Sequence, residues 1–196
     1  MNRRTLVAAA AIVLPVAVAI PATAAPAPSA TVSSARAAAP AEDRAAAAAV
    51  RAVTDPDLSA AAQVGAVPAD LGYRATAGDG YAVNPSGDCS SMVRLPDYFA
   101  GPCQAHDLGY DLLRYADSAG RPLGSWARQR IDDALADRLR ATCTHRPTSE
   151  QRECRQVAVM AVLAVRANTW RQHDGPPRAE SAGELAVSWL TAGGRL

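Results

Sequence analysis

The 196-residue chain contains no lysine; every one of its 20 basic residues is arginine. That absence excludes a Schiff-base lysine and the phosphate-binding lysine of a P-loop. A large excess of one charge is missing too: 20 basic residues against 19 acidic ones leave +1. A chain so balanced has no global field to draw in nucleic acid, and none is expected as a partner. The cysteines include no C-x-x-C pair, which argues against a zinc site. No G-x-S-x-G turn presents a serine nucleophile. Strand-period runs of useful length and internal repeats are also lacking, which leaves helices as the expected elements.

The one long uncharged run sits at the N-terminus. Residues 5–20 are mostly apolar, follow Arg3 and Arg4, and precede the small-residue stretch Pro21-Ala22-Thr23-Ala24. This is the layout of a secretory signal peptide, and the run of about 16 residues is shorter than a spanning helix needs. Cleavage after residue 24 would remove two arginines and turn the net charge from +1 to −1. The expected location is extracellular. Cys89, Cys103, Cys143 and Cys154 all lie downstream. An even count in an exported chain reads as two disulfides, and four cysteines allow three pairings.

Four regions follow: a signal peptide (1–24), an Ala/Pro-rich leader (25–77), a helical domain (78–172) and a C-terminal tail (173–196). The leader is too poor in large apolar residues to pack well. Its alanine-rich part, 42–53, predicts at most a weakly docked helix. Residues 78–89 hold three glycines and a proline and read as a loop. Helices are expected over 103–116, over 125–143 with Ser125 as its cap, and to about residue 170 after a capping box at Thr148 and Gln151. The centre of the last, 157–165, is apolar almost all round and is expected to be buried. A short final helix over 184–190 is possible on pattern alone.

The chemistry is concentrated in Asp88-Cys89-Ser90-Ser91 and in Cys103-Gln104-Ala105-His106-Asp107-Leu108-Gly109-Tyr110-Asp111. His106 and Asp107 are adjacent on one helix, so their side chains diverge by about 100°. One can face a substrate while the other faces an ion. Carboxylates and loop carbonyls are hard oxygen donors suited to calcium. On the next helix, Asp132 shares a face with Leu135, Ala136, Leu139 and Cys143, whereas Asp133 shares one with Gln129, Arg130, Asp137 and Arg140. Asp132 therefore points into the core, where a charge needs a partner. His106 is the expected one, since a histidine base needs a carboxylate to fix its tautomer.

These residues resemble the secreted phospholipase A2 enzymes of bacteria and fungi. The shared pattern is a calcium loop ending in aspartate and cysteine (Asp88-Cys89), a C-x-x-H-D-x-G-Y helix (residues 103–110), an R-I-D segment (Arg130-Ile131-Asp132), and a later cysteine pair (Cys143, Cys154). It spans residues 88–170. The family usually places one residue between the loop aspartate and the cysteine, whereas Asp88 directly precedes Cys89.

The resemblance implies an all-α fold, a small disulfide-linked bundle whose two long antiparallel helices carry the site behind a flexible leader. It implies that His106 is the general base, that Asp132 orients it, and that Asp88 and Asp107 bind calcium (Ca2+). It implies the sequential pairing Cys89–Cys103 and Cys143–Cys154. The activity implied is hydrolysis of the sn-2 ester of a glycerophospholipid by histidine-activated water, performed by a monomer at a membrane or micelle surface. Met92, Leu95, Tyr98 and Phe99 lie beside the site in sequence and are candidates for a lipid-contacting rim. The alternative is a secreted lipid- or protein-binding module on the same fold, without catalysis.

Overall fold

The computed structural model describes residues 41–89 and 94–193. The signal peptide, the leader to residue 40, Ser90, Ser91 and the rim candidate Met92 lie outside them. The described residues are mostly helical, with two disulfide bonds. None of their helices is long and apolar enough to cross a membrane.

The first helix, α1 (Arg44–Val53), begins where the Asp43 carboxylate accepts the Ala46 N–H. It does not dock weakly, as its composition predicts. Ala46, Ala49, Val50 and Val53 are buried with Leu108, Leu112 and Ile131 in one core. The alanines contribute little area, but they let the helix backbone come close, and the two valines supply about 1.5–3 kcal/mol each on burial. The short α2 (Ala60–Gly65) is capped by Ser59. It places Gln63, a buried side chain, where its amide accepts the Ala82 N–H and donates to the Asp55 and Leu58 carbonyls. The expected loop after residue 78 contains half of a small antiparallel hairpin, β1 (Thr76–Ala77) with β2 (Ala82–Val83), in register Thr76↔Val83.

Three long helices follow: α3 (Ala100–Ser118), α4 (Ser125–Thr144) and α5 (Gln151–Arg171). A single 3-10 turn, Asp97–Phe99, leads into α3. Helix α4 packs against both α3 and α5. Its cap is Gly124, whose N–H goes to Glu42, and Ser125 is the first helical residue. Thr148 forms no cap for α5; the helix starts after Glu150 with no side-chain cap. The α3–α4 approach is close at Gly109, where a Cβ would stand 2.7 Å from Ile131 Cγ2.

Helix α5 departs furthest from expectation. Only Cys154, Ala158, Thr169 and Arg171 are buried along it, while Val159, Met160 and Leu163 are 56%, 66% and 56% exposed. It packs on α4 along one stripe, so its second apolar stripe faces outward. The final helix, α6 (Ala182–Gly193), is tied to α5 through Arg171, which pairs with Glu180 and donates to Ser188.

Cys89–Cys103 and Cys143–Cys154 are the disulfides, with Cα–Cα distances of 5.0 and 5.6 Å. The first ties the loop before residue 90 to the first turn of α3. The second joins the end of α4 to the start of α5. Both sulfur pairs lie in a second core cluster with Phe99, Leu135 and Leu139.

Candidate functional site

His106 sits in the second turn of α3 and is 9% exposed. Its Nε2 lies 2.9 Å from Asp132 Oδ1 on α4. An ionised carboxylate can only accept, so Nε2 carries a hydrogen, and in the neutral imidazole Nδ1 is the acceptor. Asp132 is buried, and its partner among the ion pairs of the described residues is His106 rather than an arginine. Asp133 turns outward and pairs with Arg166 at 2.8 Å. The helical spacing that separates the two aspartates thus operates as expected.

Two further hydroxyls converge on Asp132. Tyr110, one turn beyond His106, donates to Oδ1 at 2.9 Å. Thr169 of α5 donates to Oδ2 at 2.6 Å. The Tyr110 ring lies 4.1 Å from the His106 ring, centroid to centroid. Burial, then the Asp132 charge, pushes the Tyr110 phenol up to about 12, so it remains a donor at any working pH.

Behind both hydroxyls lies Arg128, fully buried one turn before Asp132. Its Nε donates to Thr169 Oγ1 at 3.0 Å, its Nη1 to the Gly175 carbonyl and Gln172, and its plane covers the Tyr110 ring. Sequence reasoning assigned no role to these three residues. Tyr110 at i+4 from His106, and Arg128 at i−4 from Asp132, share the faces of the reactive residues and were findable by that rule. Thr169 carries no such signal because it belongs to a third helix.

Asp107 faces the loop before residue 90. Its Oδ2 accepts the Asp88 N–H at 2.9 Å, and a Cβ on Gly87 would meet that oxygen at 2.9 Å. Glycine at 87 is what lets the loop backbone close over the carboxylate. Asn84 holds the loop to α3 by donating its N–H to the Gln104 carbonyl and its side chain to Asp111. Tyr73 also donates to Asp111. Burial raises the Asp107 carboxyl above its usual value, and the neighbouring Asp111 raises it further. The Asp88 side chain itself is exposed; its main chain makes the contact with Asp107.

A desolvated carboxylate under a loop backbone suits a hard cation. No group of three His, Cys, Asp or Glu side chains gathers among the described residues.

The rim candidates divide. Phe99 is fully buried in the second core cluster, with Leu95 and Tyr98 half-buried against it. Phe99 therefore fills the space around the Cys89–Cys103 loop instead of meeting lipid. This is a correction: Phe99 packs in one buried cluster with Cys103 and with Leu135 and Leu139 of α4.

No family model matches the chain, and neither a curated protein nor a solved structure matches it.

Proposed function

We propose that the chain is a secreted, calcium-dependent hydrolase of the phospholipase A2 type. The observation that carries this reading is the buried His106–Asp132 pair, which leaves Nδ1 of the imidazole free to act as a base. The descending register of the α3–α4 contacts, 106 with 132 and 110 with 128, supports an antiparallel pair of long helices as the frame of the site.

In this reading His106 Nδ1 takes a proton from water as the water oxygen attacks the sn-2 ester carbonyl. Asp132 stabilises the imidazolium that forms. The ester C–O bond then breaks, and the imidazolium returns the proton to the leaving glyceryl oxygen. The products are a free fatty acid and a lysophospholipid. Asp107 and Asp88, with a carbonyl of the adjoining loop, would hold calcium, which supplies positive charge for the developing oxyanion and the substrate phosphate. General-base help is worth roughly 10²–10⁴ in rate. No covalent intermediate is needed.

A lipid surface as partner is supported by α5. Val159, Met160 and Leu163 are exposed on one side, near Arg152 and Arg155, and Trp170 is exposed at the far end. An apolar helix face flanked by arginines and tryptophan suits a phospholipid interface.

The test is fatty-acid release from mixed phospholipid vesicles with calcium present and then chelated. Release that stops on chelation supports the reading. Vesicles left intact by the calcium-loaded protein, yet bound by it, would favour the binding module.

A further inference from the structure

The third helix reaches the reactive pair through one hydroxyl. Thr169 Oγ1 accepts from Arg128 Nε at 3.0 Å and donates to Asp132 Oδ2 at 2.6 Å. Oγ1 has a single hydrogen. Because Arg128 can only donate, and the Tyr110 oxygen stands farther off at 3.4 Å, that hydrogen is directed to the carboxylate. Arg128 is itself immobilised: it is fully buried, and Nη1 is bonded to the Gly175 carbonyl and to Gln172 just beyond α5. The other oxygen of Asp132 carries both His106 and Tyr110. Thr169 is therefore the donor that fixes rotation of the carboxylate about its Cβ–Cγ bond, which decides where Oδ1 meets His106 Nε2.

We infer that Thr169, oriented by the buried Arg128, is a positioning residue for the His106–Asp132 pair. It acts through Asp132 and touches no substrate. This rests on the hydrolase reading for its kinetic consequence, but the geometry it asserts is independent of it. Arg128 lends its charge through hydroxyls, without a direct ion pair to Asp132 that would compete with the imidazole. Its Nη2 has no hydrogen-bond partner among the described residues.

The experiment compares Thr169→Val, which keeps the shape and removes the hydroxyl, with Thr169→Ser, which restores it. With calcium and saturating phospholipid, Thr169→Val is expected to lower kcat by roughly tenfold to a hundredfold while KM holds, since misplacement of a base costs rate rather than binding. Thr169→Ser is expected to recover most of it. A wild-type kcat in Thr169→Val, or a loss that Ser does not recover, overturns the inference. A second readout needs no activity: the ring N–H signal of His106 in nitrogen-15 spectra at one fixed pH. It is expected to be sharp and downfield in wild type and Ser, and broadened or shifted upfield in Val. An unchanged signal in Val overturns the inference even if the chain hydrolyses nothing. Wild-type inactivity with the predicted spectral change would remove the hydrolase reading alone.

Discussion

Asp132 accepts three hydrogen bonds on two oxygens, from an imidazole and two hydroxyls. Asparagine at that position brings an NH2 group against one of these donors. The imidazole can satisfy it only by moving its hydrogen to Nδ1, the atom the chemistry needs as a base. Asp132→Asn is therefore expected to lose on the order of 10²–10⁴ in kcat while the fold, read by circular dichroism, persists. Near-normal turnover would separate Asp132 from catalysis. Asp107 makes the opposite prediction. Its raised pKa means that the folded state disfavours the ionised form. The stability it contributes is present below the unfolded carboxylate range and is lost as pH rises through the folded value, so at neutral pH the charge is a cost. Calcium would relieve that cost. Saturating calcium, at about 100 times its dissociation constant, is worth about 2.7 kcal/mol of stability. Wild type should therefore melt higher with calcium than with chelator, and Asp107→Asn should melt at one temperature in both. A calcium shift retained in the variant would move the ion elsewhere.

Among the elements, the α3–α4 pair depends on Gly109. A Cβ there would meet Ile131 at 2.7 and 2.9 Å, tighter than real contacts allow. Gly109→Ala should cost about 1–3 kcal/mol by overpacking, seen as a melting temperature several degrees lower. It should also slow the reaction, because the helices that separate are those carrying His106 and Asp132. Adding Ile131→Ala should return part of both losses; a Gly109→Ala protein of wild-type stability would contradict the packing. The α5–α6 link titrates. The Arg171 guanidinium and Gln172 hold the Glu180 carboxyl down to about 2. A lowered folded pKa stabilises above the unfolded value and is lost as pH falls through the folded one. The link should therefore weaken from about pH 4.5 toward pH 2. Trp189, whose ring lies against Arg171, reports it. A fluorescence change in that window, abolished by Glu180→Gln, is the expected result.

Over the whole molecule, what the sequence disclosed and what it hid have separate physical causes. Helical spacing placed Asp132 inward and Asp133 outward, because one helix face is a local property. The sequential cysteine pairing came with a family resemblance, since spacing alone leaves three pairings. Burial of α1 was not legible: alanine offers little area to bury, and the docking of the helix depends on Leu108, Leu112 and Ile131 far along the chain. The exposed side of α5 was hidden for the reverse reason, because an all-apolar helix does not reveal how much of its surface neighbours cover. Thr169 belongs to the site only through the packing of α5 on α4, whereas Arg128, four residues before Asp132, shares its helix face. The most direct measurement is release of a labelled sn-2 fatty acid from a glycerophospholipid in calcium by wild type and by His106→Ala. The account predicts release by wild type and a loss of at least about 10²-fold in the variant. Equal release by both proteins, or unlabelled fatty acid freed from the sn-1 position while the sn-2 label stays on the lipid, would contradict it.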